Sequence, residues 1–255
     1  MRQALALAAA ILVASSASAL ACNIVHTLGF EVEGGEHDVF VNGVFVSRDD
    51  SASVGSRPIF PRDWLLPGEN TVTIAMRERD GVAKANFQVT ADCMGEVAES
   101  APLASVSFDG PGEQALNFTV EAAVEAEHLL ADPSGQDGLL EAVARLQQAV
   151  AAKDANTVIA MHAPMMREAE RAGAPLVQVR RMISFLVTEH PADLAADLAS
   201  EAALDGKIHV VTTTDRLAPV TIMISEDDGS MLTWRTGVYW GRYDGAWGVV
   251  ALYNP

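Results

Sequence analysis

The apolar positions of this 255-residue chain change period partway along it. From residue 24 to 122 they alternate with polar ones in short runs broken by turn residues, the pattern of strands with one buried face. His37-Asp38-Val39-Phe40-Val41 and Val44-Phe45-Val46 flank Asn42-Gly43. That pair favours a two-residue hairpin turn, so Val41 is expected opposite Val44 and Phe40 opposite Phe45. Pro58, Pro61 and Pro67-Gly68-Glu69-Asn70 mark further turns before the run Thr71-Val72-Thr73-Ile74-Ala75-Met76. Residues 85–91, 104–108 and 115–120 complete the set. About 100 residues of short strands without a helical period predict an N-terminal all-β sandwich, assigned to residues 22–128.

Asp132-Pro133-Ser134-Gly135-Gln136-Asp137-Gly138 is a turn cluster within a linker over 129–138. It lacks the alternating oxygens and closing Glu of a calcium loop. Beyond it the period is helical. Leu139, Val143, Leu146 and Val150 form one stripe, Val158, Met161 and Met165 a second, and Val179, Met182, Ile183 and Leu186 a third that Pro191 ends or kinks. Residues 193–204 read as another short helix, closed by Gly206. Strands follow at 208–214, Val220–Ser225, Met231–Tyr243 and Ala246–Tyr253. Asp244-Gly245 as a two-residue turn pairs Tyr243 with Ala246, Arg242 with Trp247 and Trp240 with Val249. Alternation then puts Trp234, Val238, Trp240 and Arg242 on one face with Trp247 and Val249, and Arg235, Tyr239 and Tyr243 on the other. Residues 139–255 are expected to form an α+β domain, helices packed on a curved antiparallel sheet.

Two resemblances accompany these patterns. Val41-Asn42-Gly43, Asp63 to Leu66 and Pro67-Gly68-Glu69-Asn70-Thr71-Val72 resemble the sugar-binding jelly-roll domains that accompany some glycosidases, over about thirty-five residues. Every matched position has a turn or strand duty, so the likeness implies the sandwich more than sugar binding. Sugar platforms need exposed aromatic faces, and this half has Trp64 and no Tyr. Leu139 to Tyr253 resembles the ketosteroid-isomerase-like cone fold in element order and in its ending Val238-Tyr239-Trp240-Gly241-Arg242-Tyr243-Asp244-Gly245-Ala246-Trp247. That family usually has a strand between its second and third helices, and none is legible here. The resemblance implies a pocket in which an acidic or His base works with Tyr or Asp on a carbonyl.

Residues 1–21 read as a secretory signal: Arg2, a short apolar run from Ala4 to Val13, then Ala17-Ser18-Ala19 and Ala19-Leu20-Ala21 as cleavage sites. The mature protein is expected to be soluble, periplasmic or secreted, with no membrane span. In an oxidising compartment the two cysteines, Cys22 and Cys93, are expected to form one disulfide tying the ends of the first module, which contributes ~4 kcal/mol in the chain-entropy model. The competing reading is a lipoprotein anchored through Cys22. Ala19 stands where such signals usually carry Leu, and lipidation would strand Cys93.

Charge narrows the partners. The net charge is −17, and residues 22–135 hold 6 basic and 19 acidic residues against 10 and 15 in residues 136–255. No Lys or Arg occurs from 85 to 144, where eleven carboxylates fall. Such a surface repels nucleic acid and anionic lipid.

For chemistry, Met161, His162, Met165 and Met166 are soft ligands suited to Cu(I), although Met also fills core gaps. Arg235, Tyr239 and Tyr243 share a strand face that could bind a small anionic ligand. Arg242 opposite Trp247 suits a cation–π pair. Glu226-Asp227-Asp228 reads as a hairpin turn. Hydrolase, metalloprotease and phosphate-loop motifs are absent, and no cofactor is implied. The expectation is a non-catalytic binding or adaptor protein with an unidentified protein or small-molecule partner. A small-molecule isomerase or hydrolase using a pocket in the cone-like domain is the alternative, and periplasmic copper binding the third.

Overall fold

The computed structural model describes residues 24–49, 53–59, 64–79, 81–93, 101–121, 125–225 and 231–253. The described residues are mostly β, with four helices and a curled antiparallel sheet toward the C-terminus. Eight strands come first: β1 (Ile24–Gly34), β2 (Glu36–Val41), β3 (Val44–Asp49), β4 (Ser53–Ile59), β5 (Gly68–Arg77), β6 (Lys84–Cys93), β7 (Ala104–Asp109) and β8 (Gly112–Val120). They make two four-stranded antiparallel sheets, ordered β4-β1-β6-β7 and β3-β2-β5-β8. Val39, Val41, Val72, Ile74, Leu116 and Phe118 of the second sheet share a core with Leu28, Val32, Phe87 and Val89 of the first. His37 lies 5.2 Å from Phe87, and His26 5.3 Å from Phe118. The Asn42-Gly43 turn has φ of +49° and +79° and sets the register expected of it, Val41 opposite Val44 and Phe40 opposite Phe45.

A 3-10 turn at Glu127–Leu130 leads into α1 (Leu139–Ala151), α2 (Ala155–Met161), α3 (Ala163–Arg171) and α4 (Leu176–Glu189). Then come β9 (Ala192–Leu194), β10 (Ala199–Ala203), β11 (Ile208–Thr212), β12 (Val220–Ser225), β13 (Met231–Tyr243) and β14 (Ala246–Tyr253). The sheet runs β10-β11-β13-β12-β9, with β14 also on β13. Leu139, Val143, Leu146 and Val150 of α1 are all buried against it, as their stripe requires. The last hairpin has the expected register, and the Arg242 guanidinium sits 5.9 Å from the Trp247 ring centre.

Several local expectations give way. Residues 193–204 are not a helix but the strands β9 and β10. Their Ala-rich composition favours helix in isolation, but β9 pairs with β12 and β10 with β11. The backbone groups exposed along those sheet margins outweigh a weak local propensity. The second helical stripe is split into α2 and α3 at His162 (φ −93°, ψ 13°), because Pro164 starts a new helix more easily than it continues one. Finally, Val238 does not share a face with Trp234 and Trp240. Gly237, at φ +79°, makes an irregularity in β13, so Trp234 and Trp240 face the helices while Val238 and Tyr239 join the core on the other side. There one edge of β13 changes partner, from β12 along residues 231–236 to β11 along residues 239–241.

Gly237 is needed for both backbone and space. A Cβ there would stand 3.0 Å from Leu146 Cδ2 and 3.4 Å from Pro219 Cβ. Gly237→Ala is expected to cost about 1–3 kcal/mol, from the left-handed backbone and the crowding of α1. Its urea midpoint should fall accordingly; an unchanged midpoint would mean β13 does not need the irregularity.

The C-terminal sheet has two covered faces. The helices lie on one. The other meets the outward face of β2 and β3, where Phe45 lies 6.0 Å from Tyr253 and Arg216 stacks 4.9 Å over the Phe45 ring. One apolar cluster therefore runs from the two N-terminal sheets into the C-terminal one. The segment read as a linker is pinned at its own ends of this arrangement. Asp132 N donates to Arg242 O (2.7 Å), Ser134 N to Gly206 O (3.0 Å) and Trp247 Nε1 to Asp137 O (3.0 Å). Among the described residues, no helix is long and apolar enough to cross a membrane. Cys22 and Glu226-Asp227-Asp228 lie outside the described residues, and Cys93 is placed only by its backbone, opposite Ile24.

Candidate functional site

The three strand residues nominated for ligand binding do not converge on one pocket. Arg235 and Tyr243 are eight residues apart on one strand, roughly 26 Å in extended chain. Arg235 lies opposite Thr221 on one side and Tyr253 on the other. Tyr239 is buried in the seam between the sheets, its ring 4.8 Å from Trp64 and 6.1 Å from Tyr253, and its hydroxyl donates to Phe45 O at 2.8 Å. Tyr243 reaches the 3-10 turn instead, donating to Glu127 O at 3.1 Å beneath the Arg167 guanidinium, 5.1 Å from its ring centre. Burial and the Glu127 charge push its phenol pKa well up, so it is a neutral donor at any physiological pH.

The seam has its own logic. Trp64 holds a left-handed backbone (φ +72°), unusual for a bulky residue. Two asparagines hold it there. Asn42 Nδ2 donates to Trp64 O (2.7 Å) and to Asn70 Oδ1 (2.8 Å), while Leu66 N donates to Asn70 Oδ1 (2.7 Å). The Asn42 and Asn70 turns thus form a hydrogen-bond network that aims the indole at Tyr239 and at His128, 4.8 and 5.3 Å away. His128 donates through Nε2 to Leu65 O at 3.1 Å, and burial, despite that bond, pulls its pKa down to about 4.

Two ion clusters flank the seam. Asp38 is buried on the outward face of β2, clasped by Arg48 (2.7 and 3.0 Å) and Arg77 (2.9 Å to each oxygen). Burial alone would raise its carboxyl pKa, but the two guanidiniums outweigh it and hold it at about 2. Glu127, only 1 % exposed, pairs with Arg167 and Arg171, and Glu168 accepts from the Glu127 backbone N–H (2.7 Å) and from Arg171. Both clusters are satisfied by protein partners, the pattern of buried charges that hold segments together.

The Met161, His162, Met165 and Met166 patch lies inside the core between helices and sheet, all four residues buried. His162 Nδ1 is 2.7 Å from Val158 O and Nε2 is 2.6 Å from Thr236 Oγ1. A carbonyl only accepts, so Nδ1 carries the proton and Nε2 accepts from the Thr236 hydroxyl. Neither nitrogen has a lone pair left for copper. Burial lowers the pKa of this imidazole to about 4, with its bond to Val158 opposing. The ring lies 5.7 Å from Trp234. Nearby, Pro164 packs so closely on β14 that a Cβ at Gly248 would stand 2.7 Å from its Cγ. Among the described residues, no three His, Cys, Asp or Glu side chains are grouped to hold a metal ion.

Glu127, His128, Asp38 and Arg216 have no local pattern that announces their roles. The charged residues and the lone histidine stand in segments whose local pattern is that of linker, strand surface or turn, and only the packing of distant elements buries or engages them. Compared with known protein families, with curated proteins and with solved structures, the chain matches none.

Proposed function

We propose that this chain is an exported, non-catalytic binding or adaptor protein that makes its contacts through outer surfaces. In this reading the two N-terminal sheets are the faces of a β-sandwich, and the C-terminal helices and sheet are a cone-like domain with a filled interior. The observation that carries it is the use of polar side chains within the protein itself. The Tyr239 phenol is taken by Phe45 O, the Tyr243 phenol by Glu127 O, both His162 nitrogens by Val158 and Thr236, and the Trp240 indole N–H by Gly237 O. A cone enzyme needs such groups directed at its substrate. The outer face of β5 and β8, by contrast, carries exposed Glu69, Glu113, Asn117 and Thr119, the last three of them in the stretch from 85 to 144 that has no Lys or Arg.

A basic protein surface is the complement of that face, and the expected binding is salt-sensitive. The test is recovery of a partner from the exported fraction, followed by titration with purified components. Affinity should fall from low to high salt and be lost in a Glu69→Lys/Glu113→Lys variant of unchanged melting temperature. Salt-independent binding would remove the acidic face from the reading. Turnover of an ester, lactone or enone substrate that disappears in Tyr239→Phe or Arg235→Ala would replace the whole reading with the enzymatic one. Intact mass of the exported protein tests the compartment: loss of the hydrogens of one disulfide supports the Cys22–Cys93 bridge, and an added lipid supports the anchor.

A further inference from the structure

The helix layer differs from the rest of the molecule in charge. Residues 139–189 carry six basic and five acidic side chains, a net +1, which leaves −18 on the remainder. Two copies of so acidic a protein repel each other through most approaches, and least through this layer.

The same layer presents an unburied apolar stripe. On α4, Gln178, Arg181, Met182, Phe185 and Glu189 are all exposed. At 100° per residue they fall within about 100° of one another, one continuous face of the helix. Met182 is 44 % and Phe185 55 % exposed, with Val177 at 80 % on the margin of the stripe. The opposite side of α4 is anchored by Ile183, Leu186 and Val187 in the core. The sequence stripe Val179-Met182-Ile183-Leu186 therefore faces inward only in part, and Met182 stands outside it. Among the described residues, neither Arg181 nor Glu189 has an ion-pair partner; the Glu189 carboxylate accepts only the neighbouring Thr188 hydroxyl (3.0 Å).

We propose that this face of α4 is a self-association surface, occupied by α4 of a second copy running antiparallel about a two-fold axis near Phe185. Arg181 and Glu189 are each one turn from Phe185, on opposite sides of it. An antiparallel pair centred there brings Arg181 of each copy against Glu189 of the other, twice, while Phe185 meets Phe185 and Met182 flanks both rings. A two-fold contact is self-complementary by construction. The charges across it are opposite in this orientation, and parallel pairing would set Arg181 against Arg181. Phe185 is backed by His190, just past the end of α4 and 5.1 Å away in an edge-on contact, which limits the freedom the ring has to lose on association.

Sedimentation equilibrium of the purified full chain tests this. The wild type is expected to form a dimer, and Phe185→Glu to be monomeric. Arg181→Glu and Glu189→Arg should each weaken the dimer by about tenfold or more, since each sets two like-charge pairs across the axis. The double variant Arg181→Glu/Glu189→Arg should recover wild-type affinity, because it restores both pairs with the signs exchanged. All three positions are exposed, so circular dichroism and melting temperature should be unchanged and loss of folding is separable from loss of association. A monomeric wild type at the highest soluble concentration would overturn the proposal. So would a dimer indifferent to Phe185→Glu, or single charge variants that the double variant fails to rescue.

Discussion

Lowering the pH from 6.5 toward 4 is expected to unfold this protein with the uptake of about two protons. His128 and His162 are held neutral by burial, each with a pKa near 4 in the folded state against 6.5 when exposed. Above pH 6.5 neither form binds the proton, and folding is unaffected. Below it the unfolded chain takes up protons that the folded protein excludes, so stability falls by about 1.4 kcal/mol per pH unit for each histidine until the folded pKa is reached. The two together remove about 6–7 kcal/mol, a large part of the 5–15 kcal/mol typical of a folded domain. His26 and His37, also lowered chiefly by burial, act in the same direction. Asp38 works in a lower window: its depressed pKa contributes stability above 3.8 that is lost as pH falls toward 2. Urea midpoints measured from pH 8 to 4.5 should show the slope, and His128→Gln or His162→Asn should reduce it by about one proton each. A flat wild-type profile across that range would mean that both imidazoles are reached by water.

Trp64→Ala is expected to destabilise the whole molecule by about 3–5 kcal/mol, the usual cost of emptying a large buried aromatic site. The indole touches Tyr239 of the C-terminal sheet and His128 of the 3-10 turn, while its backbone is fixed by Asn42 and Asn70 of the N-terminal half. Because one apolar cluster crosses the seam, the loss should appear equally in both halves. Thermal unfolding followed by hydrogen exchange at β5 amides and at β14 amides should give one transition that shifts as a unit. If β5 melts early while β14 keeps its wild-type protection, the halves are independent folding units and the seam carries little energy. Tyr239→Phe is a milder probe of the same contact, since it deprives the buried Phe45 carbonyl of its donor.

Much of the backbone plan is written locally. Asn42-Gly43 and Asp244-Gly245 specify turn types whose positive φ values few other pairs tolerate, and a two-residue turn leaves no choice of register. Strands β12, β13 and β14 were legible to their end residues because alternation, β-branched and aromatic content, and bounding turns agreed. The stripe of α1 was legible because four apolar residues at helical spacing admit one buried face. Where signals conflicted, the local reading failed. The Ala-rich residues 193–204 have helical propensity, yet the sheet needed partners for β11 and β12. Gly237 resets the alternation of β13 with no residue nearby announcing it.

Side-chain roles were far less legible. Met161, His162, Met165 and Met166 have the composition of a soft metal site, and it took Thr236, seventy-four positions away, to occupy the last imidazole nitrogen. Arg235, Tyr239 and Tyr243 share a spacing but have three separate environments, set by β14, by Phe45 and by Glu127. The turns, most strands, the helical stripes and the charge imbalance between segments are readable from residue order, because each depends on neighbours within a few residues. Long-range packing is what joins the two halves in one core, seals His128 at the seam and His162 between helices and sheet, and leaves the face of α4 bearing Phe185 outside. Burial is a property of what packs against a residue, and those packing partners lie tens to nearly two hundred positions away in the chain.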